Sequence, residues 1–204
     1  MISKRIESNL TQTSPMFAYM GRALANVYDE SKNPEGIISL GIAENTLMVK
    51  ELSEFLSSNM KITPNLFSYG ASSPGPPELT KGLVEFYNSP PFNPIIPVEE
   101  DHIYFTSGCT TLLDQCFWAL CDEGEGVLIG RPSYGGFAAD MMTRCKLQPV
   151  HVDFGKIDPF SVDAVTRYEL ELLRAERKGI TVRMLILCQP HNPLGRYISP
   201  FNSV

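Results

Sequence analysis

The sequence predicts an α/β fold built on a mostly parallel sheet, and three observations carry that expectation. From Asp101 onward, short runs of β-forming residues alternate with helix-patterned segments, the order that places helices over the faces of a parallel sheet. The run Met184-Leu185-Ile186-Leu187 is apolar at every position, as suits a central strand covered on both faces. The loops richest in chemically useful residues each follow one of these strands, where ligands bind in such sheets.

Taken in order, residues Met1 to about Asn33 read as an extended arm with one helix, Phe17 to Tyr28. The turn Asn33-Pro34-Glu35-Gly36 leads into the apolar segment Ile37 to Gly41. Leu52, Phe55 and Leu56 at helical spacing predict a helix over Val49 to Met60. Ser68 to Pro77, SYGASSPGPP, is too rich in Gly, Pro and Ser to be anything but loop. Leu79, Leu83, Val84 and Phe86 supply one face of a helix from Glu78 to Tyr87, and the proline-punctuated stretch Asn88 to Pro97 is a connector.

His102 to Phe105 is then expected as a first strand, and Thr106 to Cys109 as a tight turn into a helix over Thr110 to Leu120. Gly126 to Ile129 is the second strand and Arg131 to Gly136 a loop. Phe137 to Cys145 is a helix, and Gln148 to Val152 the third strand. Ser161 is a candidate N-cap for a long helix from Val162 to Lys178, which Gly179 ends. Ile180 to Cys188 is the fourth strand.

The chain has 204 residues and a formal net charge of −6, enough for one sizeable domain with extensions. No basic patch suggests a nucleic-acid partner, and no stretch approaches the ~20 apolar residues of a membrane span. Five cysteines, Cys109, Cys116, Cys121, Cys145 and Cys188, follow no zinc or redox spacing. They read as buried thiols of a reducing compartment, so a soluble cytoplasmic protein is expected.

Three constellations carry candidate chemistry. Thr106-Ser107-Gly108-Cys109-Thr110-Thr111 joins a strand to a helix. Gly108 permits close approach of an anion, and the amides of the first helical turn are unsatisfied donors. On its own such a turn serves as readily as a simple cap. Tyr134, between Pro132 and Gly135-Gly136, is either an aromatic platform for a planar ligand or a packed loop residue. Asn192, in His191-Asn192-Pro193-Leu194-Gly195, precedes a proline that biases it to extended backbone, with its amide off the sheet edge. A plain Asn-Pro turn is the alternative, and His191 reads as a surface residue. Tyr69 and Glu44 are locally turn or cap residues.

The order of these motifs resembles class I/II aminotransferases, the fold-type I pyridoxal-phosphate enzymes. Asn33-Pro34-Glu35-Gly36-Ile37-Ile38 followed by Leu40-Gly41-Ile42-Ala43-Glu44-Asn45 is similar to the signature of the 1-aminocyclopropane-1-carboxylate synthase-like branch. The resemblance runs from about Ser14 to Gly195. It implies a three-layer α/β/α large domain with an N-terminal arm, divided as 1–95 (arm and part of a small domain), 96–196 (partial cofactor-binding domain) and 197–204. By the same resemblance, Gly108, Cys109 and Thr110 hold the phosphate of pyridoxal 5'-phosphate, and Tyr134 stacks on its ring. Asn192 hydrogen-bonds the ring oxygen, Tyr69 reaches a partner subunit's phosphate in a homodimer, and Glu44 approaches an amino-acid substrate.

The departures are equally part of the pattern. The family's ring-nitrogen aspartate, its arginines and its Schiff-base lysine lie beyond the Asn-Pro-Leu-Gly motif, and no lysine follows Lys178. The loop Gly70 to Pro77 is longer and richer in proline than in the family, and from Tyr197 the likeness stops. The expectation is therefore an incomplete chain, truncated before the cofactor lysine and inactive alone, of an aminotransferase or synthase-like enzyme. The alternative is a non-catalytic relative that binds cofactor weakly or pairs with a full-length one.

Overall fold

The structure, a computed structural model, describes residues 2–10, 15–69 and 75–198. The expected loop at 70–74 and the tail from 199 lie outside these residues. In chain order the regular elements are α1 (Lys4–Leu10), α2 (Pro15–Ala25), α3 (Val49–Asn59), α4 (Pro77–Asn88), α5 (Cys109–Leu120), β1 (Gly126–Gly130), α6 (Gly136–Met142), β2 (Gln148–Val152), α7 (Ala164–Arg177) and β3 (Val182–Ile186). The chain divides into two units, one of Met1–Tyr19 with Ser107–Val204 and the other of Met20–Thr106.

The first unit is a parallel three-stranded sheet in the order β2-β1-β3. β1 lies in the middle, with Leu128 opposite Val150 on one side and Leu185 on the other, and all five of its residues are buried. Successive side chains point to opposite faces, which sorts the core into two clusters. Val127 and Ile129 pack with Phe117 of α5, Met141 of α6, Cys145 and Leu147. Leu128 packs on the other face with Val152, Phe154 and Ala164 of α7. α5 and α6 thus cover one face and α7 the other, a three-layer α/β/α arrangement. α1 is tied to this unit where Asn9 donates its side-chain amide to the Thr143 carbonyl (2.9 Å) and accepts from Lys146 Nζ (2.7 Å).

α7 ends as its sequence predicts. Gly179 adopts φ +77°, its N–H meets the Glu176 carbonyl (2.9 Å), and the Ile180 N–H meets that of Ala175 (3.0 Å). These paired bonds satisfy the last carbonyls of a helix that stops at a left-handed residue. Its start differs from expectation. Ser161 does not cap the helix; its hydroxyl donates to the Asp158 carbonyl (2.8 Å), and Asp163 takes the N-cap position without a side-chain bond.

Two strand expectations are corrected. His102 to Phe105 is not a strand: residues 100–102 form a 3₁₀ turn, in which His102 Nδ1 accepts the Glu99 N–H at 3.1 Å. The chain that follows pairs with no strand among the described residues. β propensity there has no neighbour to act on. Met184 to Ile186 lie on β3, which among the described residues pairs with β1 alone and not with a strand on each side, and Leu187 lies just past its end. Met184 and Ile186 pack inward, while Leu185 and Leu187 remain 47% and 52% exposed. The cysteines also depart from the buried reading. All five are free, but Cys145 alone of them is buried, and Cys109 is exposed.

In the second unit the turn at Asn33 forms as expected. Asn33 donates its side-chain amide to Asn26 Oδ1 (2.8 Å) and to the Val27 carbonyl (2.9 Å). A bridge pairs Val27 with Ile37. Asn88, at the end of α4, holds the connector by exchanging two bonds with the Val98 backbone (2.9 and 2.8 Å). Phe86, Tyr87 and Phe92 gather with ring centroids 5.1–5.6 Å apart. Thr80 is the one buried residue among those described in this unit.

Candidate functional site

Gly108 precedes α5 at φ +94°, and a Cβ there would meet nothing within 4 Å. The backbone is thus in a conformation that favours glycine and faces open space. The first helical bond runs from the Leu112 N–H to the Gly108 carbonyl (3.3 Å), so the amides of Cys109, Thr110 and Thr111 lie ahead of the helical ladder, where a helix offers its donors and its positive end. The Thr111 hydroxyl donates to the Ser107 carbonyl (3.3 Å). The Thr110 hydroxyl lies near enough to Asp140 of α6 to act on its carboxyl.

α5 and α6 run parallel, as their side-chain pairs show. One turn beyond the Thr110–Asp140 pair, Asp114 is ion-paired with Arg144, whose guanidinium lies 4.4 Å from the centre of the Trp118 ring. Both helices therefore begin at the same edge of the unit. Burial pushes the Asp140 carboxyl above its ordinary range and Asp114 adds to this, while the Thr110 bond opposes it.

Tyr134 follows β1 and is 43% exposed. Its ring meets Phe137 edge-on at 5.4 Å and 88°, and Phe137 in turn packs against the buried cluster under α5 and α6. Gly136 is buried at the start of α6, and a Cβ on it would stand 2.3 Å from the Tyr134 ring. The absence of a side chain at 136 is what lets the ring lie back over the helix start.

Asn192 follows β3 on a short loop that closes on itself. The His191 N–H donates to the Arg196 carbonyl (2.7 Å) and the Gly195 N–H to the His191 carbonyl (2.8 Å). The peptide bonds before Pro190 and Pro193 are cis. Beneath the loop lies a cavity of about 210 Å³, whose lining includes Ser133, Phe137, Phe154, Phe160, Tyr168 and Asn192. Its walls are mostly apolar and its polar groups few, the composition of a small-molecule site. No lysine of the described residues is among its walls. His191 is half-buried rather than a free surface residue, with its ring 5.5 Å from that of Phe160.

The structure thus brings Asn192 to one cavity with Ser133 and Phe137, and Phe137 links that cavity to Tyr134. Gly108, Cys109 and Thr110 stand at the start of α5, joined to α6 through Asp140. Tyr69 and Glu44 belong to the other unit, where both are exposed, Tyr69 completely so. Asp140, Asp158, Phe160 and Arg196 escaped the sequence reading, because no local pattern marks a contact between segments 30 or more residues apart. The amides and thiol at the start of α5, the Tyr134 ring and the Asn192 side-chain amide are groups of the kinds that suit a phosphate and a planar heteroaromatic ring with an oxygen substituent, though the cavity lining includes Asn192 and neither Tyr134 nor the α5 residues. Pyridoxal 5'-phosphate has those features.

The chain is similar in sequence and fold to known proteins. The family described as "Aminotransferase class I and II" matches residues 35–201. An "Aminotransferase verI" of Clonostachys rogersoniana is 33% identical over 168 residues, covering 79% of this chain and 38% of that protein. The "1-aminocyclopropane-1-carboxylate synthase-like protein 1" of Bos taurus is 33% identical over 181 residues, covering 85% of this chain and 36% of that protein. Among solved structures, an aspartate aminotransferase from Rhizobium meliloti superposes with a TM-score of 0.65 at 23% identity, over 99% of this chain and 46% of that one, a likeness of fold. The chain spans less than half the length of these relatives. Among the described residues, no helix is long and apolar enough to cross a membrane.

Proposed function

The chain belongs to the class I and II aminotransferase family, and from that premise we propose that it supplies the cofactor-cradling part of a pyridoxal-phosphate-dependent enzyme acting on an amino acid. The observation that supports this most is that Tyr134 follows β1 and Asn192 follows β3, at the carboxyl edge of one parallel sheet, in the unit that also holds the start of α5. When bound, pyridoxal phosphate offers an electron sink for the amino acid's α-carbon. The residues here bind and orient. Amides at the start of α5 receive the phosphate with the hydroxyl of Thr110 and the thiol of Cys109 beside them. Tyr134 presents a ring face for stacking, and Asn192 donates its side-chain amide to the ring oxygen. Tyr69 serves the phosphate of a partner subunit in a homodimer, and Glu44 approaches the substrate.

Transamination and the elimination chemistry of a cyclopropane synthase are both consistent with these residues, since neither is decided by the cradle. A non-catalytic binder is the second reading. It is supported by the name of one similar protein of Mus musculus, a "Probable inactive 1-aminocyclopropane-1-carboxylate synthase-like protein 2", 29% identical over 84% of this chain and 30% of that protein.

Binding of pyridoxamine 5'-phosphate, which needs no lysine to be held, tests the reading through the ligand's fluorescence. Saturable binding that inorganic phosphate displaces is the expected result. Uptake that phosphate does not compete with would remove the α5 seat from the account.

A further inference from the structure

Asn192 stands on a loop that the core holds only indirectly. Asn192, Pro193, Leu194 and Gly195 are all exposed, and the loop's own hydrogen bonds close it without attaching it to the sheet. Among the described residues, the loop's side-chain hydrogen bonds to the segment before α7 are made by Arg196. Its Nη1 and Nη2 donate to the two carboxylate oxygens of Asp158 at 3.0 and 2.8 Å. Its guanidinium also lies 4.4 Å from the centre of the Phe160 ring. Phe160 is 3% exposed and meets the His191 ring edge-on, so one buried aromatic ring touches both ends of the loop.

Asp158 is itself held in place. It accepts the Phe160 N–H on Oδ1 (3.1 Å), and its carbonyl accepts both the N–H (3.0 Å) and the hydroxyl (2.8 Å) of Ser161. A planar guanidinium bound two-pronged to a fixed carboxylate defines an orientation as well as a distance, which a lysine ammonium does not.

We propose that Arg196 is a positioning residue: its paired bonds to Asp158, made over the Phe160 ring, set where the Asn192 amide stands above the cavity. The inference rests on the assignment of Asn192 to the cofactor's ring oxygen. It adds a residue pair that acts through Asn192 and touches no ligand.

The test uses the 204-residue chain and four variants of the ion pair, Arg196→Met, Arg196→Lys, Asp158→Asn and the exchange Asp158→Arg with Arg196→Asp, together with Asn192→Ala alone and combined with Arg196→Met. Two readouts are taken: amide hydrogen exchange over Gln189 to Ile198, and binding of pyridoxamine 5'-phosphate. Arg196→Met and Asp158→Asn are expected to speed exchange at His191 and Gly195 and to weaken binding by about two- to fivefold, the span of a solvent-exposed ion pair. Arg196→Lys falls between, and the charge exchange recovers part of the loss. Affinity for inorganic phosphate alone stays at the parent value in all four. Adding Asn192→Ala to Arg196→Met costs little more, because both changes remove one contact.

Parent-like exchange and binding in Arg196→Met overturn the proposal, as do losses that add fully to those of Asn192→Ala. If the parent takes up no pyridoxamine phosphate, the cofactor reading fails and the positioning role fails with it. The exchange rates then still decide whether Asp158 and Arg196 hold the loop.

Discussion

Replacing Gly136 with alanine separates the stability of the fold from the geometry of its site. The added Cβ would stand 2.3 Å from the Tyr134 Cε1 and 2.7 Å from its Cζ, closer than atoms can lie, so something must move. What moves is decided by burial: Gly136 is fixed in the first turn of a buried helix start, whereas Tyr134 is partly exposed, and its ring can swing outward. The loss is the edge-on contact with Phe137, worth roughly 0.5–1.5 kcal/mol. Alanine offsets about 1 kcal/mol of that through its better helix propensity. The net change is therefore expected to stay within about 1 kcal/mol, or about 2–4 °C in Tm for a chain of this size.

Binding is expected to respond differently. A displaced ring no longer presents its face where the phosphate seat and Asn192 require it, so pyridoxamine 5'-phosphate should bind about three- to tenfold more weakly, the worth of one aromatic contact. The assays are a urea or thermal melt and a fluorescence titration on the same preparation. A loss of stability of about 3 kcal/mol or more, the scale of a strained core, would refute the claim that Tyr134 yields. Unchanged binding would refute its role as a platform.

Other perturbations follow from the same structure. Phe117→Ala empties the centre of the cluster shared by α5, β1 and α6, and urea melts should show a loss of about 3–5 kcal/mol. His151 is held below its ordinary pKa of 6.5, first by burial and then by the Arg131 guanidinium, with Asp153 opposing. Its Nδ1 is buried without a partner among the described residues. The unfolded chain therefore takes up this proton first, so stability is full above about pH 6.5 and declines as pH falls toward the folded pKa. His151→Gln should flatten that part of a Tm-against-pH curve. Leu185→Lys on β3 with Leu187→Lys just past its end places charges on residues that are exposed and apolar, and should lower light scattering on storage without loss of the cooperative melt.

Much of the first unit was legible because local pattern and tertiary role coincide there. Gln148 to Val152 and the helix from Cys109 to Leu120 appear almost at their expected bounds, since β-branched alternation and helical spacing reflect faces that really are covered. Strand order was not legible. His102 to Phe105 has strand composition but no described neighbour, and Met184 to Ile186 has the composition of a central strand while pairing, among the described residues, with β1 alone. Composition reports what a segment is able to bury, whereas pairing depends on where other segments go. The site divides in the same way. Gly108, Tyr134 and Asn192 stand out through the glycines and prolines beside them, but the partners that hold them do not. Asp140 lies 30 residues from Thr110 and Asp158 lies 38 from Arg196, and nothing local announces either contact. By sequence Gly136 only ends a loop, whereas in the structure it makes room for a ring.

The most direct test of the cradle is a crystal structure of the chain with pyridoxamine 5'-phosphate. The account expects the phosphate at the amides of Cys109 and Thr110, the ring against Tyr134, and its oxygen within hydrogen-bond reach of the Asn192 side chain. Density for the phosphate away from the start of α5, or a ring that meets neither Tyr134 nor Asn192, would contradict it.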